Sequence, residues 1–153
     1  MTTVKDQRGS EILDRGECLR LLDQHSGGVG RVGFESGNLP TILPVNYVMD
    51  GLDIVFRTGA GIKFEAVQQE NVIAFEIDEV DPDSGDCWSV LVRGLPSYLP
   101  STGAVVDSVR HDGAVAPTRP QPSVMVPGSY LVKIRSTVVT GRRFKLAKVR
   151  AGV

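Results

Sequence analysis

Cysteine, histidine and aromatic residues are all scarce in this chain, and no apolar run in it is long. Its 153 residues include two cysteines, Cys18 and Cys87, and two histidines, His25 and His111. Neither cysteine stands at a paired metal-ligand spacing, and a domain of this length buries enough surface to need no metal or disulfide staple. No stretch approaches the ~18 apolar residues of a membrane span. The opening MTTVKDQRGS is polar, with no apolar signal region. The reading is a cytoplasmic protein with free thiols. Charge of either sign is not in excess: 17 basic residues face 18 acidic ones, for a net charge of -1. That balance gives no general attraction to nucleic acid or to an anionic membrane. Aromatics at 6% are too few for a barrel that stacks single-stranded bases.

Acid–base and metal chemistry are equally thin. Neither histidine lies near a serine or cysteine in a nucleophile elbow, so a catalytic triad has no support. The acidic run Asp78, Glu79, Asp81, Asp83 and Asp86 is not a calcium loop. Counted from Asp81, the positions that need glycine and glutamate hold Asp86 and Val92. It reads as a solvated turn. Trp88, the sole tryptophan, opens an apolar strand; burial alone would account for it as well as a site role would.

What the chain does contain is strand alternation punctuated by turns. Residues 1–10 read as a flexible arm and 11–153 as one domain. Asp14 caps a first helix, DRGECLRLLDQHSGG, with Glu17 three residues on as in a capping box and Cys18, Leu19, Leu21 and Leu22 as its apolar stripe. Gly27 and Gly28 stop it. The period then changes to strands: GRVGF, a turn at 36–38, TILPVNYVM and DIVFRT, with Asp50-Gly51 as a two-residue hairpin signal. A short helix is expected over about 62–70, with Asn71 as its left-handed stop. VIAFEID and WSVLVRGLPSYL follow as strands. The segment 112–128 carries Pro117, Pro120, Pro122 and Pro127 and cannot supply a continuous ladder. YLVKIRSTVV and GRRFKLAKV close the chain. The count predicts a mostly β fold, a six- to seven-stranded antiparallel barrel with few helices.

One corner stands out: FRTGAGIKFEAV sets Arg57 and Lys63 around two glycines at a helix start. It is not a P-loop, because Phe64 follows Lys63 where Ser or Thr must hold magnesium. It is not a dinucleotide fingerprint either, because Phe64 stands where the third glycine should be. Free backbone N–H groups at a helix start attract negative charge, and a cation there is unfavourable by roughly 0.3 to 1 kcal/mol without an anion nearby. The corner therefore reads as an anion site.

The succession ILPVNY, DGLDIVFRTGAGIK, IAFEIDEVD and WSVLVRG resembles the FMN-binding split-barrel family related to pyridoxamine 5′-phosphate oxidase, especially its nitroimidazole-reductase-like branch. The resemblance covers about 18–94 and, more loosely, 141–143. It implies a flavin-dependent oxidoreductase acting on a small organic substrate. By resemblance, Arg57, Thr58 and Lys63 hold the FMN phosphate, while Pro44, Val45 and Asn46, with Trp88 and Ser89, line the isoalloxazine. A homodimer with the cofactor at the subunit junction is implied as well. The family also includes users of the deazaflavin F420 and members that bind haem or only dock a cofactor. Gly61-Ile62-Lys63 is shorter than the arginine- and serine-bearing phosphate loop of the name-giving oxidases, and RRFKLAKVRAGV does not match their substrate-binding segment. Both departures argue against vitamin B6 oxidation. The absence of an acid–base constellation suits a flavin enzyme, whose cofactor carries out hydride transfer itself.

Overall fold

The computed structural model describes residues 4–57, 65–99 and 130–146. Thr58, Lys63 and the proline-rich 112–128 lie outside them. The described elements are β1 (Glu11–Leu13), α1 (Arg15–Gln24), β2 (Val29–Ser36), β3 (Leu39–Asp50), β4 (Asp53–Arg57), α2 (Glu65–Gln68), β5 (Ile73–Val80), β6 (Asp86–Gly94), β7 (Pro96–Leu99), β8 (Leu131–Ile134) and β9 (Val138–Lys145). All pairings are antiparallel, in the order β1-β9-β6-β5-β2-β3-β4-β8-β7. The mostly β split barrel is thus present, with nine strands among the described residues instead of six or seven. The two additional strands are short. β1 is three residues that pair with β9, and β7 is split from β6 at Leu95, where the chain turns a corner.

Two long features curl the sheet. β3 pairs with β2 through Asn46 and with β4 from Tyr47 onward, so one strand serves both halves. At the β6–β7 corner Gly94 meets the Arg135 carbonyl so closely that no Cβ fits between them. The β2–β3 turn places Gly37 and Asn38 both at positive φ, 57° and 61°, a type I′ turn that matches strand twist. The β3–β4 turn is centred on Gly51-Leu52, one residue later than the Asp50-Gly51 signal, because Asp50 pairs with Asp53. α2 ends through Glu70 at φ 54°, not Asn71; the Asn71 N–H reaches back to the Ala66 carbonyl at 2.9 Å, as in a Schellman motif.

The core lies between the concave face and α1. Cys18, Leu21 and Leu22 from the helix meet Val32, Tyr47, Phe75, Val90 and Val92 from the sheet. Asp14 caps α1 by accepting from the Glu17 N–H at 2.8 Å. The reciprocal half of the capping box is not made. Instead the Glu17 carboxylate bonds Arg20 at 2.6 Å and Arg143 of β9 at 3.3 Å, tying the helix to the closing strand. Tyr47, buried in the core, donates its hydroxyl to the Leu22 carbonyl at 2.8 Å. Phe75 packs edge-on to Tyr47, with centroids 4.9 Å apart, and its ring lies over Gly30, where any Cβ would collide with it.

Two outcomes are expected. Gly30→Ala lowers stability by about 1–3 kcal/mol through overpacking, read as a shifted urea midpoint, and Phe75→Leu in the same chain restores part of the loss; an unchanged midpoint refutes this packing. Hydrogen bonding from Arg20, then the Arg143 contact, holds the Glu17 carboxyl well down, to about 2 from 4.5. Its stabilisation is therefore complete above pH 4.5 and is lost as pH falls through about 2. Glu17→Gln costs about 1 kcal/mol or less at pH 7, the scale of a surface ion pair. In thermal melts the two chains approach one another as pH falls from 4.5 and converge below about pH 2.

Candidate functional site

In the sheet, residues opposite one another across a ladder share a face, and faces alternate along each strand. Applied to the registers, this sorts the outward face of β3-β2-β5-β6-β9 into rungs. One rung runs Ile42, Gly33, Ala74, Arg93, Val138. The next runs Pro44, Arg31, Glu76, Leu91, Thr140. A third brings Asn46 beside Val29, and Asp78 beside Ser89 and Arg142.

Pro44, Asn46 and Ser89 therefore share the outward face. Val45 and Trp88 do not: both pack against the core and offer the outer surface only their backbone. Trp88 lies against His25 at 4.8 Å between ring centroids. His25 caps the end of α1, with Nδ1 2.8 Å from the Leu21 carbonyl and Nε2 3.1 Å from Glu79. Arg57 ends β4 half-buried, facing outward beyond Val55, opposite Leu131. The phosphate corner that would link it to α2 falls at 58–64, where Thr58 and Lys63 lie outside the described residues. Pro44 and Ser89 are on strands three spacings apart, roughly 14 Å at about 4.8 Å each. One fused three-ring system cannot rest on both within a single chain.

The face also holds an ionic cluster. Arg31 Nη1 donates to Asp78 at 3.1 Å and to Glu76 at 3.4 Å. Both carboxylates use the same nitrogen. Burial pushes the Glu76 carboxyl above its ordinary value, Asp78 adds to the rise, and Arg31 only partly opposes it. Asp78 and Glu79 are thus strand residues with partners, which corrects their assignment to the solvated acidic run. The turn proper is 81–85, where the Asp81 carboxylate accepts from the N–H groups of Asp83 and Ser84. Arg31 and Glu76 escaped the sequence reading. The signal was available: in GRVGF and VIAFEID, every second residue breaks the apolar pattern on one face. Among the described residues, no group of histidine, cysteine and carboxylate side chains suits a metal ion, and no helix is long and apolar enough to cross a membrane.

Comparison with known proteins agrees with this architecture. The chain is 36% identical over 92 residues to the Mycobacterium tuberculosis protein Rv0080, a match that spans 57% of this chain and 59% of that one. The chain thus matches about three fifths of the length of this relative. The solved structure of the FAD binding protein from Mycobacterium smegmatis superposes with a TM-score of 0.60 at 28% identity, covering 89% of this chain and 99% of the other. A FAD-binding protein from Mesorhizobium loti, 18% identical, shares the fold with a TM-score of 0.64 over 89% of this chain and 99% of its own. The sequence model of pyridoxamine 5′-phosphate oxidase matches residues 14–143, nearly the whole described domain with its helix cap, sheet and closing strand, and the chain belongs to that family.

Proposed function

We propose that this chain binds FMN and acts as a flavin-dependent oxidoreductase on a small organic substrate. The observation that carries the reading is the shared outward face of Pro44, Asn46 and Ser89, reached from β4 by Arg57. The likeness to the FAD binding protein from Mycobacterium smegmatis supports a flavin in particular. The residues fit the group. Pro44 and Val29 give apolar contact to a flat ring, and Asn46 and Ser89 offer side-chain donors and acceptors for its polar edge. Arg57, Thr58 and Lys63 would hold the phosphate. Bound flavin supplies the hydride chemistry. The chain's own residues position the ring and exclude water from one side of it.

The roughly 14 Å between the β3 and β6 contributors favours a ring held between two copies, with Pro44 and Asn46 from one and Ser89 from the other. The chain is accordingly proposed to act as a homodimer with two equivalent sites.

Absorbance spectra after separate addition of FMN, FAD, F420 and haem test the cofactor. FMN is expected to bind and to be reduced in turnover; binding of haem alone, or flavin binding without turnover of any acceptor, overturns the enzyme reading. Lys63→Ala is expected to weaken FMN by roughly 1.5 to 3 kcal/mol, the range for a charge-assisted hydrogen bond, or about ten- to a hundredfold. Riboflavin, which lacks the phosphate, is expected to bind both chains alike. Equal losses for the two ligands would rule out the phosphate role.

A further inference from the structure

Two consecutive arginines near the end of β9 face opposite ways, because faces alternate along a strand. Arg143 turns to the helix side, where two carboxylates hold it, Glu11 at 3.4 Å and Glu17 at 3.3 Å. Arg142 turns outward, onto the rung that runs Asp78, Ser89, Arg142, Ile12. Residues directly opposite on one face have Cβ atoms about 5 Å apart, so the Arg142 side chain stands beside that of Ser89. It is 59% exposed, and among the described residues its ion-pair partner is Asp6, 3.1 Å away. Asp78, on the other side of Ser89, is engaged by Arg31 at 3.1 Å. Of the two charges flanking Ser89, the cation is thus the one whose counter-charge comes from outside the sheet.

Asp6 has the features of a removable counter-ion. Residues 4–12 fold back on themselves: the Ile12 N–H reaches the Val4 carbonyl at 2.8 Å, the Asp6 N–H reaches the Ser10 carbonyl at 2.9 Å, and Lys5 bridges Glu11. Asp6 Oδ1 caps this turn, accepting from the N–H groups of Arg8 and Ser10, both at 2.9 Å. Its other oxygen, Oδ2, faces Arg142. The Ser10 N–H, opposed in part by burial and aided by the Arg8 N–H and by Arg142, holds the Asp6 carboxyl below its ordinary range, so it is an anion at neutral pH. The turn keeps its own cap when Arg142 leaves, and an exposed pair of this kind is weak. A guanidinium that already faces one carboxylate can take another in the same planar geometry.

We propose that Arg142 is a specificity-determining residue that receives the carboxylate of an anionic substrate beside Ser89, and that Asp6 holds its place until the substrate displaces it. The proposal rests on the flavin reading of the Ser89 face and adds to it the charge of the substrate. Asp6 touches no substrate; it is a positioning residue that acts through Arg142. Because both carboxylates use one guanidinium, the apparent affinity for the substrate is reduced by the fraction of chains in which Asp6 is in place. A neutral ligand of the same shape gains nothing from the exchange.

Benzoate titrated into the full chain, with and without FMN, tests this, followed by the NMR signal of the Arg142 Nε–H; benzamide, neutral and of the same shape, is the control. Benzoate is expected to shift the signal saturably and benzamide to leave it in place. Arg142→Gln, followed by calorimetry, is expected to weaken benzoate by about tenfold or more. Asp6→Asn keeps an oxygen to cap the turn and removes the competing charge, so it is expected to tighten benzoate by up to about fivefold with an unchanged urea midpoint. A pair that merely ties down the N-terminal segment gives the opposite pattern, a lowered midpoint and no gain in affinity. Equal responses to benzoate and benzamide, undiminished benzoate binding in Arg142→Gln, or weaker benzoate binding in Asp6→Asn would each overturn the proposal. The two readings fail separately. Benzoate exchange at Arg142 in a chain that takes up no FMN removes only the flavin function, whereas FMN binding without any benzoate response removes only the anion site.

Discussion

The contact between the Phe75 ring and the bare Cα of Gly30 sets the geometry on which the outward face depends. It brings β5 against β2 so closely that only glycine fits, and it fixes Arg31 opposite Glu76 and Val32 opposite Phe75. A one-residue slip of β5 would invert its faces. Glu76 would then point into the core and Phe75 into water, and Arg31 would lose the carboxylate opposite it. Tyr47 supports the same point from the other side, edge-on to Phe75 and bonded to the last turn of α1. Burial raises the Tyr47 hydroxyl above its ordinary pKa, so it remains a neutral donor.

From this centre the two halves of the sheet acquire different tasks. The β2-β3-β5-β6-β9 half has a concave side filled by α1 and a convex side that carries the candidate site. The β4-β7-β8 half has its own polar anchor on the outward side, where Lys133 reaches Asp50 at 2.9 Å and Asp53 at 3.5 Å, across the β3–β4 turn. That anchor holds the start of β4, whose far end carries Arg57. β3 belongs to both halves, so Pro44 and Asn46 lie within the same strand that leads, by one hairpin, to Arg57. The ring-lining and phosphate-binding candidates are coupled by four residues of ladder and a two-residue turn.

Trp88 and Asp78 show how strand faces control what a residue type means. A tryptophan in a flavin-like sequence context invites a stacking role, yet its parity on β6 sends it to the core against His25. Asp78 sits in an acidic run that looks solvated, yet its parity on β5 turns it toward Arg31. Side-chain chemistry alone gives neither answer, because alternation decides the face and pairing decides the neighbour.

The amino-acid sequence by itself determined the class of fold, the first helix and its cap, the hairpin succession from β2 to β4, and the family. These features are local: a capping aspartate, turn glycines and period-two alternation act within a few residues. It also singled out Pro44, Val45, Asn46, Arg57, Thr58, Lys63, Trp88 and Ser89 by likeness of motif. Only the tertiary structure decided the register between β2 and β5, the split between β6 and β7 at Leu95, and the left-handed role of Glu70 in place of Asn71. Alternation along each strand marks Arg31, Glu76 and Asp78 as facing one side, but their meeting was not legible along the chain, because Arg31 is 45 and 47 residues from its two partners. Their meeting depends on which strands pair, and that is settled by long-range packing around Phe75 and Tyr47, not by any local preference.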